Sequence, residues 1–153
     1  MAEISFYHLT NSPLEGVLPV LLKKTLDAGK RAVVMAGTSE RLETLSSILW
    51  TAEPDSWIPH GSLKDGHPEH QPIWLTISWE NPNQATYLFL TDGATAESLE
   101  GFARCFDLFD GTEIASVVAA RDRLTKLKNG SHDRNYWQQN GQGKWEKKAS
   151  AGI

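Results

Sequence analysis

Three histidines, His60, His67 and His70, lie close together in the chain with Asp65 among them. Such a set could hold zinc if the segment folded back on itself. The spacing matches no metal pattern, since structural zinc takes four ligands with thiolates among them and the single cysteine, Cys105, is distant. The three are read as exposed loop side chains, and no metal is expected. Cys105 sits in the apolar run from Phe102 to Phe106, where a thiol is a small core residue rather than a nucleophile. Asp107 and Asp110 could face each other as an acid–base pair, but Asp110-Gly111 closing an element is ordinary turn chemistry. Neither Thr10-Asn11-Ser12-Pro13 nor Ala36-Gly37-Thr38-Ser39 is a glycine-rich phosphate cradle. No catalytic residue and no cofactor is therefore assigned. An enzyme acting on a nucleotide or phosphorylated small molecule, perhaps metal-dependent through the loop histidines, is the rival reading.

Recognition hardware is better represented. Trp50 and Trp57 flank a helix end and a loop, Ile48-Leu49-Trp50-Thr51-Ala52-Glu53-Pro54-Asp55-Ser56-Trp57-Ile58-Pro59-His60. Both rings could be core, but the polar residues and prolines around Trp57 favour an interface. Further on, Val117, Arg121, Leu124 and Lys128 are spaced to stack on one helix face. That face is either core bordered by cations or an apolar spot that takes a peptide's terminal hydrophobic side chain while the cations meet its carboxylates. Residues 121–148 hold eight basic and three acidic side chains within a chain of net charge −4, so a basic patch is local. Arg134, Tyr136, Trp137, Lys144 and Trp145 mix cations with rings as single-strand binders do. This makes direct single-stranded DNA binding a third reading.

The elements that must position these residues follow from hydrophobic period. Ile4 to Leu9 is strand-like. Pro13 opens a helix carrying Leu14, Val17, Leu18, Leu21, Leu22 and Leu26, which Gly29 stops. A strand at 31–35 precedes a helix N-capped by Ser39 with Leu42, Leu45, Ile48 and Leu49 inward. Residues 54–72 form a long surface loop, and strands follow at 73–79 and 86–90. Helices are predicted over 94–106 and 113–128, then a terminal hairpin or a strand plus tail around the turn Asn140-Gly141-Gln142-Gly143. Alternating strands and helices predict a single-domain α/β fold, a Rossmann-like, nucleotide-binding-type sheet flanked by helices without a phosphate-binding loop. One domain is expected over 1–148, with 149–153 a fraying tail.

At 153 residues, 40% hydrophobic and 22% charged, the chain has the size and composition of one globular domain needing no disulfide or metal staple. A lone cysteine suits a reducing cytoplasm. The sequence has no leader-like N-terminus and no apolar run long enough to cross a bilayer, so neither export nor membrane insertion is expected.

Several separated marks in order along the chain carry a family resemblance. They are Phe6-Tyr7-His8-Leu9, Leu49-Trp50, Trp57-Ile58-Pro59-His60, Phe109-Asp110-Gly111, Ala119-Ala120-Arg121-Asp122-Arg123, Tyr136-Trp137-Gln138-Gln139 and Gly143-Lys144-Trp145-Glu146-Lys147-Lys148. Together they resemble the chi subunit of bacterial DNA polymerase III holoenzyme, the closing residues its alphaproteobacterial members. The resemblance implies a non-catalytic accessory subunit of the clamp-loader assembly. Such a subunit binds the acidic C-terminal tail of single-stranded-DNA-binding protein and, through another surface, the psi subunit or an equivalent component. DNA contact would be mainly indirect. By position, Arg121 falls on the tail-binding arginine, and Trp50 and Trp57 on the psi-contacting aromatics. Val117 and Leu124 replace a lysine and a tyrosine of the gammaproteobacterial pattern, implying a more apolar pocket. Lys128 is preferred to Lys126 as the replacement cation, because Lys126 faces away from Leu124 on a regular helix.

Overall fold

A computed structural model describes residues 3–9, 13–51, 58–96, 99, 101–127, 133–140, 142 and 144–148, with backbone alone at 124–127, 133–134 and 148. The first strand, β1 (Glu3–Leu9), leads into α1 (Leu14–Asp27), whose Leu14, Val17, Leu18 and Leu22 are buried at helical spacing. Gly29, at φ 75°, ends α1. Its amide donates to the Leu26 carbonyl and that of Lys30 to the Thr25 carbonyl, the paired bonds of a Schellman stop that a glycine permits.

The wholly buried β2 (Ala32–Met35) precedes α2 (Ser39–Thr51). The cap is Thr38 rather than Ser39: its Oγ1 accepts the Arg41 amide at 3.2 Å, one residue earlier than expected. The segment 58–72 is more ordered than a plain surface loop. Gly61 bridges Trp74 in parallel, and 3₁₀ turns occupy Leu63–Asp65 and Pro68–His70. In the first of these, the Asp65 carboxylate accepts the Ser62 amide at 2.9 Å. Next, β3 (Ile73–Thr76) is shorter than predicted, because the Ser78 amide donates to the Thr76 hydroxyl at 3.0 Å and turns the chain. Buried Asn83 then holds the segment before β4 (Tyr87–Thr91), donating to the carbonyls of Ala32 at 3.1 Å and Gln71 at 2.9 Å.

Among the described residues, the predicted helix over 94–106 is absent. Arg104–Asp110 is instead the strand β5, and residues 94–96 and 101–103 approach it without helix. Phe102 and Phe106, which a helix would bring to one face, lie in opposite layers of the core. The strand is buried on both sides and so lacks the alternation that marks a half-exposed one. Then α3 (Ile114–Leu127) leads to β6 (Asp133–Gln139) and β7 (Trp145–Lys148), the predicted hairpin.

The seven strands form one sheet in the order β3-β2-β4-β5-β1-β6-β7, parallel except for β7. On one face α1 and α2 cover Val34, Phe89, Phe106 and Leu108. On the other, Ile4, Phe6, Leu88, Cys105 and Phe109 pack with Ala120 and Val117 of α3. This is an α/β sheet with helices on both faces, as predicted. Among the described residues no helix is long and apolar enough to cross a membrane.

The second layer contains one buried ion pair. Arg123 donates from Nε to Asp107 Oδ2 at 2.5 Å and from Nη2 to Oδ1 at 2.9 Å. Burial raises the Asp107 pKa, and the guanidinium only partly offsets it. Removing Arg123 strands the carboxylate, so Arg123→Ala should cost about 3 kcal/mol at neutral pH. Because the native carboxyl binds its proton more readily than the unfolded one, its favourable contribution is present below the ordinary aspartate pKa and disappears as pH rises through the native value. The variant's deficit in urea unfolding should therefore be smaller at about pH 4.5 than at about pH 7.5. A deficit independent of pH would refute the assignment. Burial likewise pushes the Cys105 thiol well above its usual range, so a neutral-pH disulfide reagent should titrate no thiol until denaturant is added.

Candidate functional site

Open α/β sheets bind ligands at the carboxyl ends of their strands where connections diverge to opposite faces. Here that crevice is a cleft of about 600 Å³ between α1 and α3, beyond the ends of β1 and β5. Its charged lining is Glu15, Asp92, Asp110 and Glu113 against Arg41 and Arg123. Arg123 is committed to Asp107. Arg41 donates to Glu15 at 2.9 Å and to Asp92 at 3.2 Å. The helix ends oppose an anion too: Pro13 at the α1 N-cap has no N–H, and Glu15 occupies the first turn. Asp110 Oδ1 accepts the Thr112 amide at 2.8 Å, the turn role its sequence suggested. These groups fit one another rather than a nucleotide's phosphates. Asp107 and Asp110 do not form a catalytic pair, because Asp107 points into the core and Asp110 holds the turn into α3.

The loop histidines divide. His67 and His70 are exposed, whereas His60 is buried, correcting the exposed assignment for that residue. Its Nδ1 donates to the Ile58 carbonyl at 2.8 Å, which leaves Nε2 to accept from the Ser46 hydroxyl at 3.2 Å. Sequence composition could not show this, because the partner lies on α2. Among the described residues no group of three or more His, Cys, Asp or Glu could hold a metal ion.

The Trp50 ring packs on His60 at 4.8 Å yet is 60% exposed. An exposed tryptophan immobilised from beneath has the makings of an interface anchor. Trp57 lies outside the described residues.

On α3, Arg121 is exposed, Val117 is half-buried against the second core layer, and Ala120 between them is buried. The Leu124 side chain and all of Lys128 lie outside the described residues. Beside Arg121 is a ring cluster that sequence reasoning missed: His8, Phe109 and Tyr136, with His8 and Phe109 5.0 Å apart. The Tyr136 hydroxyl hydrogen-bonds His8 Nδ1, and the Gly111 carbonyl takes the other ring N–H. Burial first, then the Arg121 charge, lowers the His8 pKa despite the Gly111 bond, so the ring is neutral. Gly111 is needed here, since a Cβ on it would collide with the His8 ring. Neutral His8 and protonated Tyr136 leave Arg121 as the formal charge of this cluster, and none of the ion pairs among the described residues engages it.

Comparison with known proteins gives two consistent matches. The profile of the family described as "DNA polymerase III chi subunit, HolC" matches residues 1–134. A "Probable DNA polymerase III subunit chi" from Rickettsia prowazekii (strain Madrid E) is 28% identical over 131 residues, covering 84% of this chain and 74% of that protein. A profile spanning most of the sheet and all three helices, on a fold whose nucleotide crevice is occupied by its own ion pairs, places this chain in the DNA polymerase III chi subunit family.

Proposed function

We propose that this protein is a non-catalytic accessory subunit of the cytoplasmic replicase that captures the acidic C-terminal tail of single-stranded-DNA-binding protein. The observation that carries the reading is Arg121: an exposed guanidinium, outside the described ion pairs, beside half-buried Val117 and above the neutral His8–Tyr136 pair. A guanidinium free to fork onto a carboxylate, next to apolar surface, matches a peptide ending in a hydrophobic residue with acidic neighbours. From their helical spacing in the sequence, Val117 and Leu124 are assigned to the apolar part of that site and Lys128 to a second cation. Trp50, with Trp57, anchors psi or an equivalent clamp-loader component, so that the chain links coated single strands to the polymerase assembly. One tail binds weakly, and many tails on one coated strand raise the effective concentration.

Titration with the tail peptide of the same organism's single-stranded-DNA-binding protein tests the first contact. Arg121→Ala should weaken binding about tenfold, or ~1.4 kcal/mol, and the wild-type affinity should fall as salt rises. No saturable binding by the folded wild type would remove the tail site. Trp50→Ala separates the two surfaces. It should leave tail binding and melting temperature unchanged while lowering affinity for the psi-type partner by about thirtyfold, ~2 kcal/mol. Equal affinities of wild type and variant for that partner would exclude Trp50 as an anchor.

A further inference from the structure

The sheet face opposite α3 has a feature that the tail-binding reading does not use. There α1 stops short of the last two strands and leaves a groove of about 390 Å³ between its outer stripe and the terminal hairpin. The floor is aromatic. Trp145 meets Tyr7 edge-on at 5.0 Å, and Trp137 stacks beside Tyr7 at 6.4 Å. All three rings are half-buried and so still accessible. Register explains the grouping: Tyr7 lies opposite Trp137, Trp137 opposite Lys147, and Gln139 opposite Trp145, so these side chains share one face. The α1 wall supplies half-exposed Val20 and exposed Lys24, and exposed Lys147, opposite Trp137 across the hairpin, lies on the same sheet face. Among the described residues no carboxylate lines the groove. Tyr136 belongs to the other face, where it is buried, and does not share this surface.

We propose that this groove binds single-stranded DNA directly, with bases stacking on Trp137, Trp145 and Tyr7 and phosphates meeting Lys24 and Lys147. Adjacent aromatic rings suit successive bases, each of which offers a π-face regardless of sequence. Lysines on both sides of the rings act as point charges suited to phosphate, whereas a carboxylate-ended peptide would call for a forked guanidinium. The hairpin supplies Trp137, Gln139 and Trp145 to the groove, and most of the hairpin lies beyond the residues matching the family profile. With a chain charge of −4, binding is weak in isolation and gains from effective concentration on an assembly already held at DNA.

Fluorescence anisotropy of a labelled oligothymidylate titrated with the full chain tests this, at low and moderate salt. Saturable binding is expected, with log affinity falling against log salt at a slope of about −1.4, roughly 0.7 for each of two neutralised phosphates. The double variant Lys24→Glu/Lys147→Glu should lose at least tenfold, and both positions are exposed, so the fold is undisturbed. A second variant blocks the groove sterically: a Cβ at Gly16 meets only the Pro13 ring at 3.9 Å, so Gly16→Leu should fill the α1 wall, keep the helix and abolish binding. Arg121→Ala should leave oligonucleotide binding intact, which separates this site from the tail site. Three results would overturn the proposal. They are no binding by the folded wild type at low salt, binding indifferent to both variants, and displacement of the oligonucleotide by the acidic tail peptide in a manner sensitive to Lys24→Glu/Lys147→Glu, which would mark a peptide groove.

Discussion

The buried pair between Asp107 and Arg123 decides where α3 lies. Asp107 is on β5, flanked in the sheet by Phe6 of β1 and Leu90 of β4, so its carboxylate projects from the middle of the sheet. Arg123 reaches it with two parallel bonds from one edge of the helix. At about 100° per residue, Arg121 then falls roughly 160° from Arg123 around the axis, on the edge toward His8 and Tyr136. Val117 follows on the same edge as Arg121, and Ala120 lies between that edge and Arg123. Replacing such a pair by apolar groups is often neutral or stabilising. Its use here is orientation: an apolar helix face can rotate or slide, but a bidentate bond to one carboxylate cannot. The exposure of Arg121 is thus a consequence of the burial of Arg123.

Much of this arrangement was readable from residue order, and the exceptions have physical causes. Helix α1 was legible because Leu14, Val17, Leu18 and Leu22 keep a helical period up to Gly29, whose conformation ends the helix. The terminal hairpin was legible from its glycine-rich turn. Strand β5 was not: a strand buried on both faces has no alternation, and its apolar residues, taken with Leu99 and Phe102, imitate a helical stripe. That error also displaced Asp107, which looked like a candidate partner of Asp110 in a carboxylate pair and is instead bonded to Arg123 in the core. His60 failed for another reason. Loop composition predicts exposure, but a contact with Ser46 across the α2–β3 connection is a tertiary fact that local pattern does not encode. Exposure of Trp50 was equally beyond the sequence, because it depends on His60 filling the space beneath the ring.

The crevice at the carboxyl ends of the strands is lined by charged groups that pair with one another. In such folds the carboxyl ends of the strands are a concentration of backbone amides and helix dipoles that favours anions. Here Glu15 and Glu40 occupy first helical turns, while Glu15 and Asp92 clamp Arg41 across the gap between α1 and the β4 end. The ion pairs satisfy the field that a phosphate would otherwise use. They also tie α1 and α2 to the end of the sheet.

The sheet keeps the two proposed recognition surfaces apart. The Arg121 edge of α3 packs on one side of the sheet, and the Tyr7–Trp137–Trp145 groove opens on the other. Strand alternation enforces the separation: Tyr7 and His8 are neighbours in β1, Trp137 and Tyr136 neighbours in β6, and each pair divides between the two faces. A ligand on either side therefore leaves the other side open, with the sheet lying between the two sites. Coupling between them would need a bistable element. The continuous β5-β1-β6 ladder is a rigid one, so occupancy of the two faces should be independent in affinity and joined only through effective concentration.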